Sequence, residues 1–385
     1  MDERKVRTAL VIGGSLGGLF VANALRTIGW QVDVFERSPT ALDSRGGGIV
    51  LQPEVLNAFR FSEIPTSHAL GVRSNNRLFL SLDGAVRHKQ FAPQTQTSWS
   101  TLYSHLLAAL PAEHYHQGKK LIDLEQGADG VVASFEDGTK ATGDILVGAD
   151  GGGSTVRELV SPGSRPTYSG YVVWRGLVDE RDLLDEAKNR IYEDFVFQQN
   201  PGSLMLEYMV PGTNGATEVG ERRFNWLWYR KASEGPVLDA ILTDKEGRRR
   251  EHSIPPGALS ENQEAAFRKF AEEHANPAFR QLIRQTEEIF VQSIMDLKAS
   301  QMVFNRVLLV GDAAFIPRPH TAGSTAKAAA NAVALAEVLA EKVPIDEGLR
   351  RWERTQLEGG ARMSDWGVDM GNRIMGIGEF SGAMK

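Results

Sequence analysis

Between Thr8 and Phe35 the spacing of hydrophobic positions changes period twice. Thr8 to Ile12 is a short apolar run of the kind a buried strand shows, and a glycine cluster follows it. Val21, Leu25 and Ile28 then recur at helical spacing, Gly29 stops the helix, and Gln31 to Phe35 returns to a strand that finishes at Glu36. The pattern predicts a strand, turn, helix, strand unit, the start of a parallel sheet with a ligand at the carboxyl end of its first strand. Val131 to Phe135 alternates as another strand, Asp137 and Gly138 form a tight turn, and Asp144 to Gly148 is a further strand. From Tyr168 to Arg230 the chain is rich in strand formers and aromatic residues, which predicts a separate, mostly antiparallel sheet. Phe267, Phe270 and Ala271, then Phe279, Leu282 and Ile283, mark two helices broken near Asn276 and Pro277. Last, the apolar strand Val307 to Val310 enters a second glycine- and alanine-rich turn, followed by an alanine-dominated helix from about Ser324 to Leu339.

Composition narrows what such a chain can do. Its 385 residues are 42% hydrophobic, enough for a sizeable core, and contain no cysteine, which excludes disulfides, a thiolate nucleophile and cysteine-ligated metal. A net charge of -6 argues against nucleic acid as a partner, and the basic run Arg248 to Arg250 reads as a solvated loop. No window approaches the apolar length of a membrane span, and the charged stub Asp2 to Arg7 leads directly into a strand, so a soluble, cytoplasmic protein is expected. His114 and His116 flank Tyr115 without a third ligand cluster, so no metal site is expected. A homodimer is the expected assembly on the frequency of that symmetry alone.

The glycine cluster carries the first chemistry. Gly13-Gly14-Ser15-Leu16-Gly17-Gly18 stands in register with the dinucleotide fingerprint G-x-G-x-x-G, with Ser15 in the place of the second glycine. Gly13 makes the tight turn, the backbone at Gly14, Ser15 and Leu16 approaches a pyrophosphate, and Gly18 lets helix and strand pack closely. Glu36, with Arg37 beside it, ends the second strand where a carboxylate accepts both ribose hydroxyls. The same residues match the nucleophile elbow G-x-S-x-G, but only twelve residues precede it, too few for the strands and oxyanion loop of a serine hydrolase. Two later segments repeat the theme of a strand running into an aspartate and small residues: Asp144 to Arg157, with Asp150 and Gly151, and Gly311-Asp312-Ala313-Ala314, continued by Pro317, Pro319, Gly323 and Ser324. Asp312 is placed to accept from ribityl hydroxyls, and N–H groups near Gly323 and Ser324 to meet the polar edge of an isoalloxazine.

All three segments, in order, resemble the single-component class A flavin monooxygenases, the aromatic-ring hydroxylases. The stretches Gly46 to Pro53, Tyr168 to Val178, Asn225 to Arg230 and Gly311 to His320 resemble in particular members that hydroxylate hydroxypyridines. The resemblance implies an α/β, Rossmann-like FAD-binding domain assembled from residues 1–75, 95–165 and 290–345. It implies an inserted α+β substrate domain, 76–94 and 166–289, on a mostly antiparallel sheet, and a C-terminal helical segment, 346–385. It further implies FAD, NADH or NADPH as a transient cosubstrate, O2, and hydroxylation of a small electron-rich aromatic or N-heteroaromatic ring through a flavin C4a-hydroperoxide. Departures from the family pattern stand at Trp99, where arginine is frequent, at Phe315, at Ala322-Gly323-Ser324 and at Asn331. Candidates for the substrate pocket are Tyr208, Trp226, Trp228, Tyr229 and Pro319; alternation puts Trp226 and Trp228 on one sheet face and Tyr229 on the other. His320, with an ordinary pKa near 6.5, is the candidate catalytic base. The alternatives are a halogenase, disfavoured because Trp226-Leu227-Trp228 runs into Tyr229-Arg230, another FAD oxidoreductase, and a silent flavin binder.

Overall fold

The computed structural model describes residues 6–42, 47–66, 70–127 and 130–377; Gly46 and residues 378–385 lie outside them. Thr8–Ile12 is a central strand of a six-stranded sheet, flanked in parallel by Ile145–Gly148 and Gln31–Glu36. Val307–Leu309 and Tyr115–Gln117 extend the parallel order on the two sides, and only the edge strand Val303–Phe304 runs antiparallel. Ala9, Val11, Val32, Val34, Leu146 and Val147 are buried, as expected of parallel strands covered on both faces. The helix Leu16–Thr27 packs against Ser324–Ala340, and the alanines of the latter keep the approach close enough for Gly17 to face Ala328.

The second sheet is larger and mostly antiparallel. Its strands run in the order Ser253–Ile254, Phe290–Lys298, Thr167–Asp179, Arg223–Lys231, Ser203–Val210, Phe195–Asn200, Val72–Leu80, Val86–Ser98 and Gly48–Val50. The single parallel pairing on this path joins Phe195–Asn200 to Val72–Leu80. Helices Glu261–His274 and Pro277–Gln285 cover one face, burying Val172, Trp174, Trp226 and Trp228 with Phe267 and Phe279. The break between those helices is local chemistry: the Asn276 side chain accepts from Ala278 N and Phe279 N, and Pro277 takes the first helical position, where no N–H is needed. The opposite face carries Tyr171, Val173, Tyr208, Leu227 and Tyr229.

A 31-residue helix, Ile345–Met375, follows. Its glycines would weaken an isolated helix, yet three of them are contact points. A Cβ at Gly360 would lie 2.6 Å from the Phe315 ring, one at Gly367 3.1 Å from Arg318 N, and one at Gly371 2.8 Å from the Tyr171 hydroxyl. The glycine stripe therefore lets this helix press directly on the Phe315–Thr321 turn. The fold class matches the expectation from sequence: a Rossmann-like parallel sheet, a large mostly antiparallel sheet and C-terminal helices.

Candidate active site

The central strand delivers the chain to Gly13, whose φ of +106° and whose position 2.5 Å (Cβ to carbonyl oxygen) from Ala149 O both exclude a side chain. Gly18 is equally constrained, since a Cβ there would fall 1.9 Å from Gly13 O. Gly14 is held from both sides: its N–H donates to Glu36 Oε2 at 2.8 Å and its carbonyl accepts from the Tyr115 hydroxyl at 3.1 Å. Gly14 and Gly18 thus shape the turn, whereas Gly13, Ser15 and Leu16 line a cavity of about 690 Å³. Ser15 stands at the N-cap of the following helix without capping it, and no acidic residue occupies the first turn. The free N–H groups and positive end of that helix are left available to an anion.

The three sequence segments converge on this one cavity. From the first, Glu36 and Arg37 join Gly13, Ser15 and Leu16; from the second come Asp150 and Gly151; from the third, Gly311, Asp312 and Ser324. Gly323 lies just outside, as the N-cap of the helix Ser324–Ala340, which again has no side-chain cap and no acidic first turn. Glu36 is buried and accepts from Gly14 N and Ser38 N, both at 2.8 Å, which leaves each oxygen a further lone pair. Asp312 Oδ1 accepts from Ser324 Oγ at 2.5 Å and lies 3.4 Å from Lys327 Nζ. Asp150 is committed differently: its carboxylate takes Ser154 Oγ at 2.5 Å and Val156 N at 3.1 Å, capping the helix Thr155–Val160, and burial raises its pKa against those bonds. Two uncapped helix N-termini and two carboxylates around one cavity form the donor and acceptor set that FAD requires: N–H groups for a pyrophosphate, carboxylates for hydroxyls.

Residues 168–296 match the family described as FAD binding domain-like. Over 371 residues the chain is 35% identical to 2,6-dihydroxypyridine 3-monooxygenase of Paenarthrobacter nicotinovorans, covering 96% of this chain and 92% of that one. The chain belongs to the FAD-dependent aromatic hydroxylase family. The solved structure of 2,6-dihydroxypyridine-3-hydroxylase from Arthrobacter nicotinovorans superposes with a TM-score of 0.92 at 34% identity, over 98% of this chain and 94% of the other. The 3-hydroxybenzoate 6-hydroxylase of Klebsiella oxytoca is 25% identical over 88% of this chain and 81% of its own length. A salicylate hydroxylase substrate complex shares the fold, with a TM-score of 0.75 at 18% identity over 98% and 91% of the two chains. FAD, with NAD(P)H and O2, is accordingly this hydroxylase's cofactor set.

The aromatic candidates separate by sheet face. Tyr208 and Tyr229 lie on the same sheet face as the cavity residue Arg175 but are buried and do not line the cavity themselves; Gly48, a cavity residue, packs on the Tyr208 ring and donates its N–H to Asn225 Oδ1 at 3.0 Å. Trp226 and Trp228 point the other way, into the core against Phe267, with Trp226 Nε1 donating to Thr286 Oγ1 at 2.8 Å and Trp228 Nε1 to Ser203 Oγ at 2.6 Å. These contacts place the two tryptophans with the scaffold, not in the pocket. Pro319 is exposed and outside the cavity. His320 pairs through Nε2 with the Tyr171 hydroxyl at 3.0 Å and packs on Tyr229, ring centroids 4.5 Å apart. Its basicity differs from the expectation: burial, with the Arg318 charge adding to it, pushes the imidazole pKa down to about 4.

Several cavity residues escaped the sequence reading. Arg175 and Gln292 reach it from neighbouring strands of the large sheet, and Lys119 and Lys120 from the other side of the chain. An arginine inside the apolar run Tyr171 to Val178 was the available signal. Lys327 is buried on the helix Ser324–Ala340 and donates to Gly311 O at 2.8 Å and to Phe315 O, bracing the Asp312 turn from behind. Trp99 lines the cavity stacked on Tyr103. His114 Nδ1 and His116 Nε2 both bond Asp33 Oδ1 at 3.0 Å, and no group of three or more such side chains among the described residues is arranged to hold a metal ion.

Proposed function

We propose that this hydroxylase acts on a compact hydroxylated ring, a hydroxypyridine or simple phenol, with NADH or NADPH as the electron donor. The observation that carries this reading is the large sheet's face beside the cavity, where Arg175 and Gln292 line the wall and the buried rings of Tyr208, Tyr229 and Tyr171 lie on the same face. The 35% identity to a protein named for 2,6-dihydroxypyridine supports it.

FAD, when bound, supplies the redox chemistry and the activation of oxygen. The chain's own residues do the rest. The first helix N-terminus would hold the pyrophosphate, Glu36 the adenosine ribose, and Asp312 the ribityl hydroxyls, with Lys327 and Ser324 fixing its Oδ1. Tyr208 and Tyr229 back the cavity wall from within the sheet, Tyr208 against Gly48, and help keep the wall dry. Burial pushes the Tyr208 hydroxyl up to about 12 and Tyr229 higher still, so neither serves as a base. His320 is a weak base with Nε2 already engaged, so we assign it to orienting Tyr171 instead of removing a substrate proton.

The test is a screen of hydroxypyridines and phenols on the purified, FAD-loaded protein. It follows NAD(P)H consumption and assays hydroxylated product against hydrogen peroxide. Stoichiometric hydroxylation of at least one such ring is expected; hydrogen peroxide alone from every ring would overturn the substrate assignment.

A further inference from the structure

Arg175 lines the cavity wall and has no part in the FAD-binding set described above. It stands in the middle of Thr167–Asp179, paired with Leu227 on one neighbour and Phe290 on the other, and projects from the same face as Tyr171 and Val173. Its Nη1 donates to Gln292 Oε1 at 3.2 Å, and its guanidinium lies 5.6 Å from the Phe290 ring centroid. Both contacts are neutral. Among the described residues no carboxylate oxygen lies within 4.0 Å of it, and Nε is buried with no hydrogen-bond partner. The chain crosses directly over this group at Gly47, where a Cβ would fall 1.6 Å from Nη2.

An arginine stays charged at any accessible pH, and a partly buried cation without an anion is costly. The side chains packed closest to it do not supply that anion. Tyr208 and Tyr229, which feel its charge, are kept protonated by burial, Gln292 is uncharged, and His320 beyond Tyr229 is neutral above about pH 4. What remains unmet is a planar donor set calling for a negatively charged oxygen, on the sheet face beside the cavity.

We propose that Arg175, held in plane by Gln292, binds an ionised ring oxygen, so that the hydroxylase selects substrates presented as oxyanions. This rests on the substrate reading above and deepens it. An oxyanion places its charge on the ring, which is the electron-rich form that hydroxylation of an aromatic carbon requires. Specificity then follows from charge as well as size: a ring of the same shape without an ionisable hydroxyl meets a cation with nothing to offer it.

The experiment titrates FAD-loaded wild-type protein, Arg175→Met and Arg175→Lys with 2,6-dihydroxypyridine, and separately with 2,6-dimethoxypyridine. Binding is read from the flavin absorbance across pH. Wild-type affinity for the dihydroxy ring is expected to fall as pH drops below the ring's own pKa. Arg175→Met is expected to bind it about thirtyfold or more weakly, with the pH dependence flattened. Arg175→Lys retains part of the affinity as a point charge, the dimethoxy ring binds all three proteins alike, and flavin occupancy is equal throughout. Unchanged binding of the dihydroxy ring by Arg175→Met overturns the proposal. Equal losses for both rings also do so, as they make the residue a packing group, and loss of FAD from the variant reassigns it to the cofactor. If wild-type protein binds none of the screened hydroxylated rings, the substrate reading itself falls, an outcome distinct from those three.

Discussion

Replacing His320 with glutamine will flatten the acid limb of this protein's stability. Burial, aided by the Arg318 charge, holds the imidazole at about 4, against an ordinary value near 6.5. Between those values the unfolded chain binds a proton that the folded protein refuses. Stability therefore rises with pH across the window and is lost as pH falls from 6.5 toward 4. At about 1.4 kcal/mol per pH unit, the linkage amounts to about 2 kcal/mol lost on going from pH 7.5 to pH 5. Glutamine cannot titrate, so the variant keeps that increment. The loss of the Tyr171 partner acts equally at both pH values and cancels from the comparison. The assay is the urea midpoint of wild type and His320→Gln at pH 7.5 and pH 5.0, with FAD in excess and ionic strength constant. A variant that loses as much stability as wild type between the two pH values would refute the reasoning, because the histidine would then take up its proton without penalty in the folded state.

Two further substitutions separate cofactor turn from scaffold. Gly13→Ala introduces a Cβ 2.5 Å from Ala149 O at a φ of +106°, and purified variant is expected to retain less than about a tenth of the wild-type flavin, read from its absorbance. Trp226→Phe removes the bond to Thr286 and leaves a small void, lowering stability by about 1–3 kcal/mol in urea while flavin occupancy and ring affinity stay as in wild type. A selective loss of ring affinity would return Trp226 to the pocket.

What could be read from the sequence follows from how far apart the cooperating residues stand. Gly13 to Glu36 is a local unit, and its period changes, glycines and terminal carboxylate are all visible within thirty residues. Asn276-Pro277 announces its helix break for the same reason. Alternation along Arg223–Lys231 correctly divides Trp226 and Trp228 from Tyr229, but which side meets the cavity depends on helices 261–285 covering the other, and that is tertiary information. Arg175 and Gln292 stand 117 residues apart and become neighbours only through antiparallel pairing. The lowered His320 basicity arises from Tyr171, Tyr229 and Arg318 closing around it, of which only Arg318 is nearby in sequence.

The alternation of the large sheet has a consequence for how such enzymes diversify. Along Thr167–Asp179, Tyr171, Val173 and Arg175 share one face, and of these Arg175 lines the cavity, while Val172 and Trp174 pack under the helices on the other. Tyr171 and Val173 are themselves buried, Tyr171 against Gly371 of the long helix, so of these three positions Arg175 is the one open to exchange without cutting into a packed core. Substrate range is therefore open to change here through Arg175 and its partner Gln292, and a directed library at this strand centres on that pair.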